Sequence, residues 1–290
     1  MNNPAVAFRD AMQSHYGPLD WLPIADGTIR RFNVAGDKPG TQNGWYLLFA
    51  DSIASGAFGS WKAGSSHTWS SRQPANTIEA EQVRQRIEQA RRQREAEQHQ
   101  RQQAAAEYAN RLWRDARRAD PDHPYLVAKQ VRPYTLRQHD GVLLVPLVRD
   151  GQLVNLQRIK PDGSKRFLYG GLIKGCYSPL GIITPGAPLY ICEGWATGAT
   201  IHADTGAAVA CAMNSGNLLP AGQRLQRQHP DTVLIVAGDD DRLTEGNPGK
   251  TAANNAAATL GCGQVLPPWS GDEPLALTDF NDLANWRAAQ

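Results

Sequence analysis

Cysteine is scarce and scattered. The 290 residues hold four, Cys176, Cys192, Cys211 and Cys262, with no C-x-x-C pair and none before residue 176. This spacing excludes a zinc ribbon and a disulfide framework, and no zinc is expected. Two of the four stand in apolar, strand-like runs and read as small core residues. Long apolar runs are also missing. No eighteen consecutive apolar residues occur, and the opening MNNPAVAFRDAMQSHYG lacks a basic segment followed by an apolar one. Neither a membrane span nor a signal peptide is expected, and a cytoplasmic address follows. An ATPase motor is absent too: Gly246–Thr251 (GNPGKT) fails the P-loop spacing, because Thr244 stands where the first glycine belongs. What is present is a hydrophobic fraction of 41%, enough for the core of one large domain or two ordinary ones.

The net charge of +2 hides a segregation. Residues 120–185 carry nine basic and five acidic groups, whereas 186–290 carry five and eleven. A basic region beside an acidic one suits a polyanion on one side and divalent cations on the other. Residues 1–76 read as a small β-rich module, with strand-like pieces at Thr28–Val34 and Trp45–Phe49 between turn signals. Its Trp45, Trp61 and Trp69, with Arg31, Lys62 and Arg72 nearby, either stack bases or form the module's core. Residues 77–119 form a long polar helical connector, free of Gly and Pro up to 118, with Thr77 as its cap. It is a solvated link or, through its arginines, a nucleic-acid contact. In the basic region, 120–185, a hairpin of Val142–Val148 and Leu153–Ile159 leads into Arg158, Lys160, Lys165, Arg166 and Lys174 among glycines. These cations bind phosphates or belong to a solvated loop.

From residue 186 strands and helices alternate, which predicts a mostly parallel α/β sheet with its ligand site beyond the carboxyl ends of the strands. The acids fall there. Glu193 ends the first strand, Asp239, Asp240 and Asp241 follow the third, and Asp279 and Asp282 follow the last. In an extended segment Asp239 and Asp241 face the same way. Converging carboxylates repel one another unless a cation neutralises them, and Mg²⁺, which takes oxygen ligands and shares them with phosphates, is the natural one. Asn214 and Asn217 either touch a nucleotide or cap the next helix.

The set E-G at 193–194, the strand and D-D-D at 232–241, and D-F-N-D-L at 279–283 resembles the TOPRIM domain of primases and topoisomerases. HPYLVAK, LQRIKPDGSKRF, EGWATGATI, MNSGNL and TDFNDLA are similar in order and spacing to the TOPRIM primases of phages, plasmids and integrated elements. The resemblance implies an α/β chain, α+β overall: a Rossmann-like TOPRIM catalytic domain at 186–290, preceded by a basic primase-core subdomain, the long helix and the N-terminal module. It implies a DNA primase that makes RNA primers on single-stranded DNA from ribonucleoside triphosphates in a bacterial host, with a replicative helicase or single-strand-binding protein as partners in trans. Glu193, Asp239 and Asp241 would be catalytic and, with Asp279 and Asp282, would hold Mg²⁺, with Mn²⁺ able to substitute. Glu193 would be a ligand or the general base. Arg158, Lys160, Lys165, Arg166, Lys174 and Lys250 would contact nucleotide or nucleic acid. A TOPRIM nuclease and an inactive single-strand-binding replication accessory are the competing readings. The missing zinc module departs from cellular primases.

Overall fold

The computed structural model describes residues 3–37, 40–50, 53–61 and 63–290. The chain divides into two compact units, Met1–His99 and Gln100–Gln290. In the first, helix α1 (Pro4–Tyr16) packs on an antiparallel sheet ordered β1 (Arg30–Phe32), β2 (Gly44–Phe49), β3 (Ser55–Ser60), β4 (Ser65–Ser70). Asn3 caps α1, its side chain accepting from the Ala5 N–H, and proline opens the first turn. Phe8, Met12 and Tyr16, spaced by four, bury against Phe32, Tyr46, Leu48 and Phe58. The tryptophans belong to this packing. Trp45 is 3% exposed, Trp69 meets Phe8 edge-on at 5.3 Å, and Arg94 covers Trp45 and Trp61 at 5.0 and 5.9 Å. Arg72 is engaged with Glu79, and Lys62 lies outside the described residues.

Helix α2 (Thr77–Asp115) is long because nothing in it breaks a helix. Its cap is Asn76, whose Oδ1 accepts from the Glu79 N–H at 2.9 Å, rather than the expected Thr77.

The second unit holds two sheets. The antiparallel one is ordered β5 (Arg117–Arg118), β6 (Arg137–His139), β7 (Val142–Arg149), β8 (Gln152–Ile159), β9 (Lys165–Phe167), and helix α3 (Pro124–Lys129) lies between β5 and β6 in sequence. Strict alternation sorts its side chains. Leu143, Val145, Leu147, Ile159 and Phe167 enter the large core shared with the other sheet's helix. Leu144, Leu156 and Leu168 pack with Ala109 and Ala116 of the α2 end.

The other sheet is ordered β10 (Ser178–Leu180), β12 (Ala208–Cys211), β11 (Pro188–Cys192), β13 (Val233–Ala237), β14 (Gly263–Val265). All neighbours pair parallel except β10 with β12. Helices α4 (Trp195–Thr205), α5 (Leu218–Gln228), α6 (Pro248–Leu260) and α7 (Phe280–Ala288) alternate with the strands. The fold is thus α/β with a Rossmann-like parallel sheet. Cys192 and Cys211 are register partners with sulfurs 3.8 Å apart. Gly198 of α4 makes room for them: a Cβ there would lie 2.3 Å from the Cys211 Sγ and 3.1 Å from that of Cys192.

Candidate active site

The parallel strands end on carboxylates. Glu193 follows β11 directly. Its main-chain oxygen accepts from the Met213 N–H at 2.7 Å, and its carboxylate accepts from the Ser215 N–H. Met213 sits at φ +72°, a left-handed backbone held by these flanking bonds. Burial, and then the charge of Asp241, raise the proton affinity of Glu193.

The three aspartates after β13 divide by direction. Asp240 is buried and spent on structure, its two oxygens accepting from Asn247 Nδ2 at 2.6 Å and Trp269 Nε1 at 2.9 Å. Asp239 and Asp241 flank it on the acid side, as alternation requires. Asp241 accepts from the Gly249 N–H at 2.8 Å, at the start of α6. Only glycine fits at 249, because a Cβ would lie 2.8 Å from the Asp241 carboxylate and 2.9 Å from the Asp239 main-chain oxygen. Asp239 is different: its Oδ1 is buried without a hydrogen-bond partner. Burial first, then the charges of Asp279, Glu193, Asp241 and Asp282, push its carboxyl up to about 8.

Asp279 and Asp282 also part company. Asp279 caps α7, accepting from the Asp282 N–H at 2.8 Å, and its charge reaches Asp239 and Glu193. Asp282 turns to Lys129 Nζ, 3.2 Å away.

Of the candidate cations, Lys165 is the one drawn to the acids. The residue is exposed, and its ammonium lies 5.2 Å from the Tyr125 ring centre. Desolvation of the ammonium and then the like charge of Lys129 depress its proton affinity, against the pull of Asp279, Asp239 and Glu193. Arg158 and Arg166 are register partners on the opposite face of the antiparallel sheet. Lys160, Lys174 and Lys250 are exposed. Asn217 touches no open site. Fully buried, it accepts from the Gly175 N–H at 2.7 Å and donates to the oxygens of Cys176 and Ala212, both at 2.8 Å. It makes no side-chain cap bond to α5, and Asn214 makes none to the short turn Ser215–Asn217.

The sequence reading did not single out Lys129. Burial alone would depress its ammonium, but Asp279 and Asp282 outweigh that and raise it. With Tyr125, Lys165, Asp282 and Trp286 it lines a cavity of about 610 Å³. Its signal lay in HPYLVAK, which forms α3 and brings Lys129 to α7, where Asn281 Nδ2 donates to the Lys129 main-chain oxygen at 2.7 Å.

Among the described residues no three His, Cys, Asp or Glu side chains are drawn into a metal-holding group. The acids nevertheless fit a divalent cation. They offer oxygen donors only, burial and the charges of neighbouring acids raise the proton affinity of Glu193 and Asp239, and the orphaned Asp239 Oδ1 lacks the partner a cation would be.

Residues 188–289 match the family model described as the Toprim domain, and this part of the chain is a Toprim domain. Toprim domains bind divalent metals. Over 265 residues the chain is 32% identical to a DNA primase TraC of Escherichia coli, covering 87% of this chain and 25% of that protein. A second DNA primase TraC of Escherichia coli is 33% identical over 262 residues, 84% of this chain and 18% of that one. The chain is a Toprim-containing relative of these primases and spans a quarter or less of their length. A solved chain from a complex of bacteriophage T7 lagging-strand DNA polymerase with primase domains overlaps at a TM-score of 0.39, with 16% identity, over 56% of this chain and 85% of that chain. No helix of the described residues is long and apolar enough to cross a membrane.

Proposed function

We propose that the chain is a DNA primase, joining ribonucleotides on a single-stranded DNA template at the Toprim strand ends. The observation that carries this reading is the buried, unpartnered Asp239 Oδ1, on a carboxyl that the charges of Asp279, Glu193 and Asp241 act upon, as those of Asp279, Asp239 and Glu193 act on Lys165. Its support in sequence is the identity to DNA primase TraC over 87% of the chain.

In this reading Asp239, Asp241 and Asp279 hold Mg²⁺. When bound, the ion supplies charge for the attacking and leaving oxygens of nucleotidyl transfer. Glu193, whose proton affinity is raised, suits the acceptance of a proton from the primer 3′-hydroxyl. Lys165 orients the triphosphate beside the acids. Asp282 serves by holding Lys129 in the cavity wall. The β-rich module at 1–76, the helix at 77–119 and the basic region at 120–185 would set the template against the catalytic domain at 186–290. The host would be a cell carrying a plasmid or a similar mobile element, as the likeness to TraC suggests.

The test is incubation with single-stranded DNA, labelled ribonucleotides and Mg²⁺ or Mn²⁺. Short labelled oligoribonucleotides are expected, and Glu193→Gln should abolish them without unfolding the chain. Cutting of the DNA with no product under either metal overturns the reading.

A further inference from the structure

Asp239 and Asp279 reach the strand ends on pieces of chain that differ in stiffness. Asp239 and Asp241 follow β13, an inner strand of the parallel sheet. Asp279 arrives at the end of residues 266–279, a stretch between β14 and α7 that holds no helix or strand. Connections of this length with no regular structure are uncommon in compact domains. Of the neighbouring charges, that of Asp279 acts most strongly on Asp239, so repulsion drives the irregular stretch away from the strand ends unless something ties it down.

The ties come from Asp240 and Arg242, which alternate with the acids along the chain. The Asp240 N–H donates to the Thr278 main-chain oxygen at 2.7 Å, one residue before Asp279. Its carboxylate accepts from Trp269 Nε1 at 2.9 Å. Arg242 places its guanidinium 3.9 Å from the Trp269 ring centre and donates to the main-chain oxygens of Pro274 at 2.7 Å and Leu277 at 3.2 Å. The stretch is thus held near its start, in its middle and directly before Asp279.

The second carboxylate oxygen of Asp240 serves the other side. It accepts from Asn247 Nδ2 at 2.6 Å, while Asn247 Oδ1 accepts from the Asp241 N–H at 2.8 Å. Asn247 itself stands at φ +41°, a left-handed backbone that few residues adopt. One carboxylate, on a residue 7% exposed, therefore joins the backbone of Asp241 to the stretch that carries Asp279. Two N–H donors point at it, so both of its oxygens must accept. An asparagine would set its own N–H₂ against one of them.

We propose that Asp240 is a positioning residue: through Trp269 and Arg242 it sets the separation of Asp279 from Asp239 and Asp241, and with it the affinity of those acids for a divalent cation that Asp240 never touches. Residues that orient metal-ligating side chains from outside typically govern ten-fold to a hundred-fold in affinity. The role rests on the reading of the strand-end acids as the cation site.

Mn²⁺ binding to the full chain, read by electron paramagnetic resonance without nucleotide or template, tests it. Trp269→Phe removes the Nε1 donor and keeps a ring beneath Arg242, and Asp240→Asn keeps the shape of the carboxylate. Each should weaken Mn²⁺ binding roughly ten-fold to a hundred-fold. The double variant should bind no more weakly than Asp240→Asn alone, because without the indole N–H the amide can turn its N–H₂ to that side and keep the Asn247 bond. Deuterium uptake at 270–279 in EDTA should rise in Trp269→Phe, and its primer synthesis should return to the parent kcat at saturating Mn²⁺. Parent-like Mn²⁺ affinity in Trp269→Phe overturns the proposal, as do losses that add in full or a kcat that stays low at saturating metal. A parent chain that binds no Mn²⁺ overturns the cation site and the positioning role together. A parent chain that binds Mn²⁺, with the expected losses in the variants, yet makes no primers overturns the polymerase reading alone.

Discussion

Two acidic regions of the Toprim domain are built on opposite principles. In the turn at 270–273, Glu273 is buried, and burial by itself would raise its carboxyl. The Ser270 N–H and Oγ and the Gly271 N–H instead hold it down at about 2, with Arg287 at 3.4 Å. At the strand ends Asp239 is half-buried with its Oδ1 fully covered, but the protein gives that oxygen no donor, and burial first, then the surrounding carboxylates, push the carboxyl up to about 8. A carboxylate that closes a loop receives its partners from the chain. One that serves a ligand is left short of them, and the chain carries the repulsion until the ligand arrives.

The largest break in this contrast comes from neutralising each acid. Asp239→Asn should reduce primer synthesis to background while raising Tm in EDTA, by roughly 2–4 °C for each kcal/mol of repulsion removed. Glu273→Gln should do the reverse, keeping synthesis and lowering Tm, because the donors around it lose their charged acceptor. Paired thermal scans and primer assays read both.

A pH series without metal comes next. Asp239 titrates near 8 in the fold against an ordinary 3.8, so the fold binds the extra proton. The stability this contributes is complete below about pH 4 and is lost as pH rises to about 8. Glu273 has the opposite sign: its contribution is present above its ordinary 4.5 and is lost as pH falls toward about 2. Tm in EDTA should thus fall at both ends, and millimolar Mg²⁺ should rescue the alkaline side alone. A flat alkaline limb would show that the strand-end acids do not repel.

Gly249→Ala sharpens the contrast with a smaller change. Its Cβ would press on Asp241 and on the Asp239 backbone, so synthesis and the affinity for Mn²⁺ should fall, and Tm should fall with them because the backbone must shift to admit the methyl. Smallest in its effect on chemistry is Asn217→Ala. It leaves three buried backbone groups without partners and should cost roughly 1–3 kcal/mol of stability, read by urea denaturation.

The parallel sheet was legible because its strands are short, apolar and bounded by helix signals. The acids at its strand ends follow from that topology alone. Helix α1 was not read, although Asn3-Pro4 and the spacing of Phe8, Met12 and Tyr16 mark it, because its apolar positions are too few to stand out in a short window. D-x-x-D at 279–282 suggested two metal ligands. The cap geometry sends Asp279 to the acids, and the distant Lys129, 153 residues away in sequence, takes Asp282. Spacing cannot show a partner that far off. Adjacent cations were likewise grouped by proximity in sequence, whereas the pleat of β9 sends Lys165 and Arg166 to opposite faces.

The gap left by Gly198 limits how this chain can vary. Two sulfurs and a missing methyl share one volume behind Glu193, so these three positions form a single packing unit. Gly198→Ala alone should lift α4 from the sheet and disturb the strand end that carries Glu193. With Cys211→Ala beside it, the same methyl has somewhere to go. Changes at these positions that fail one at a time should succeed as a pair.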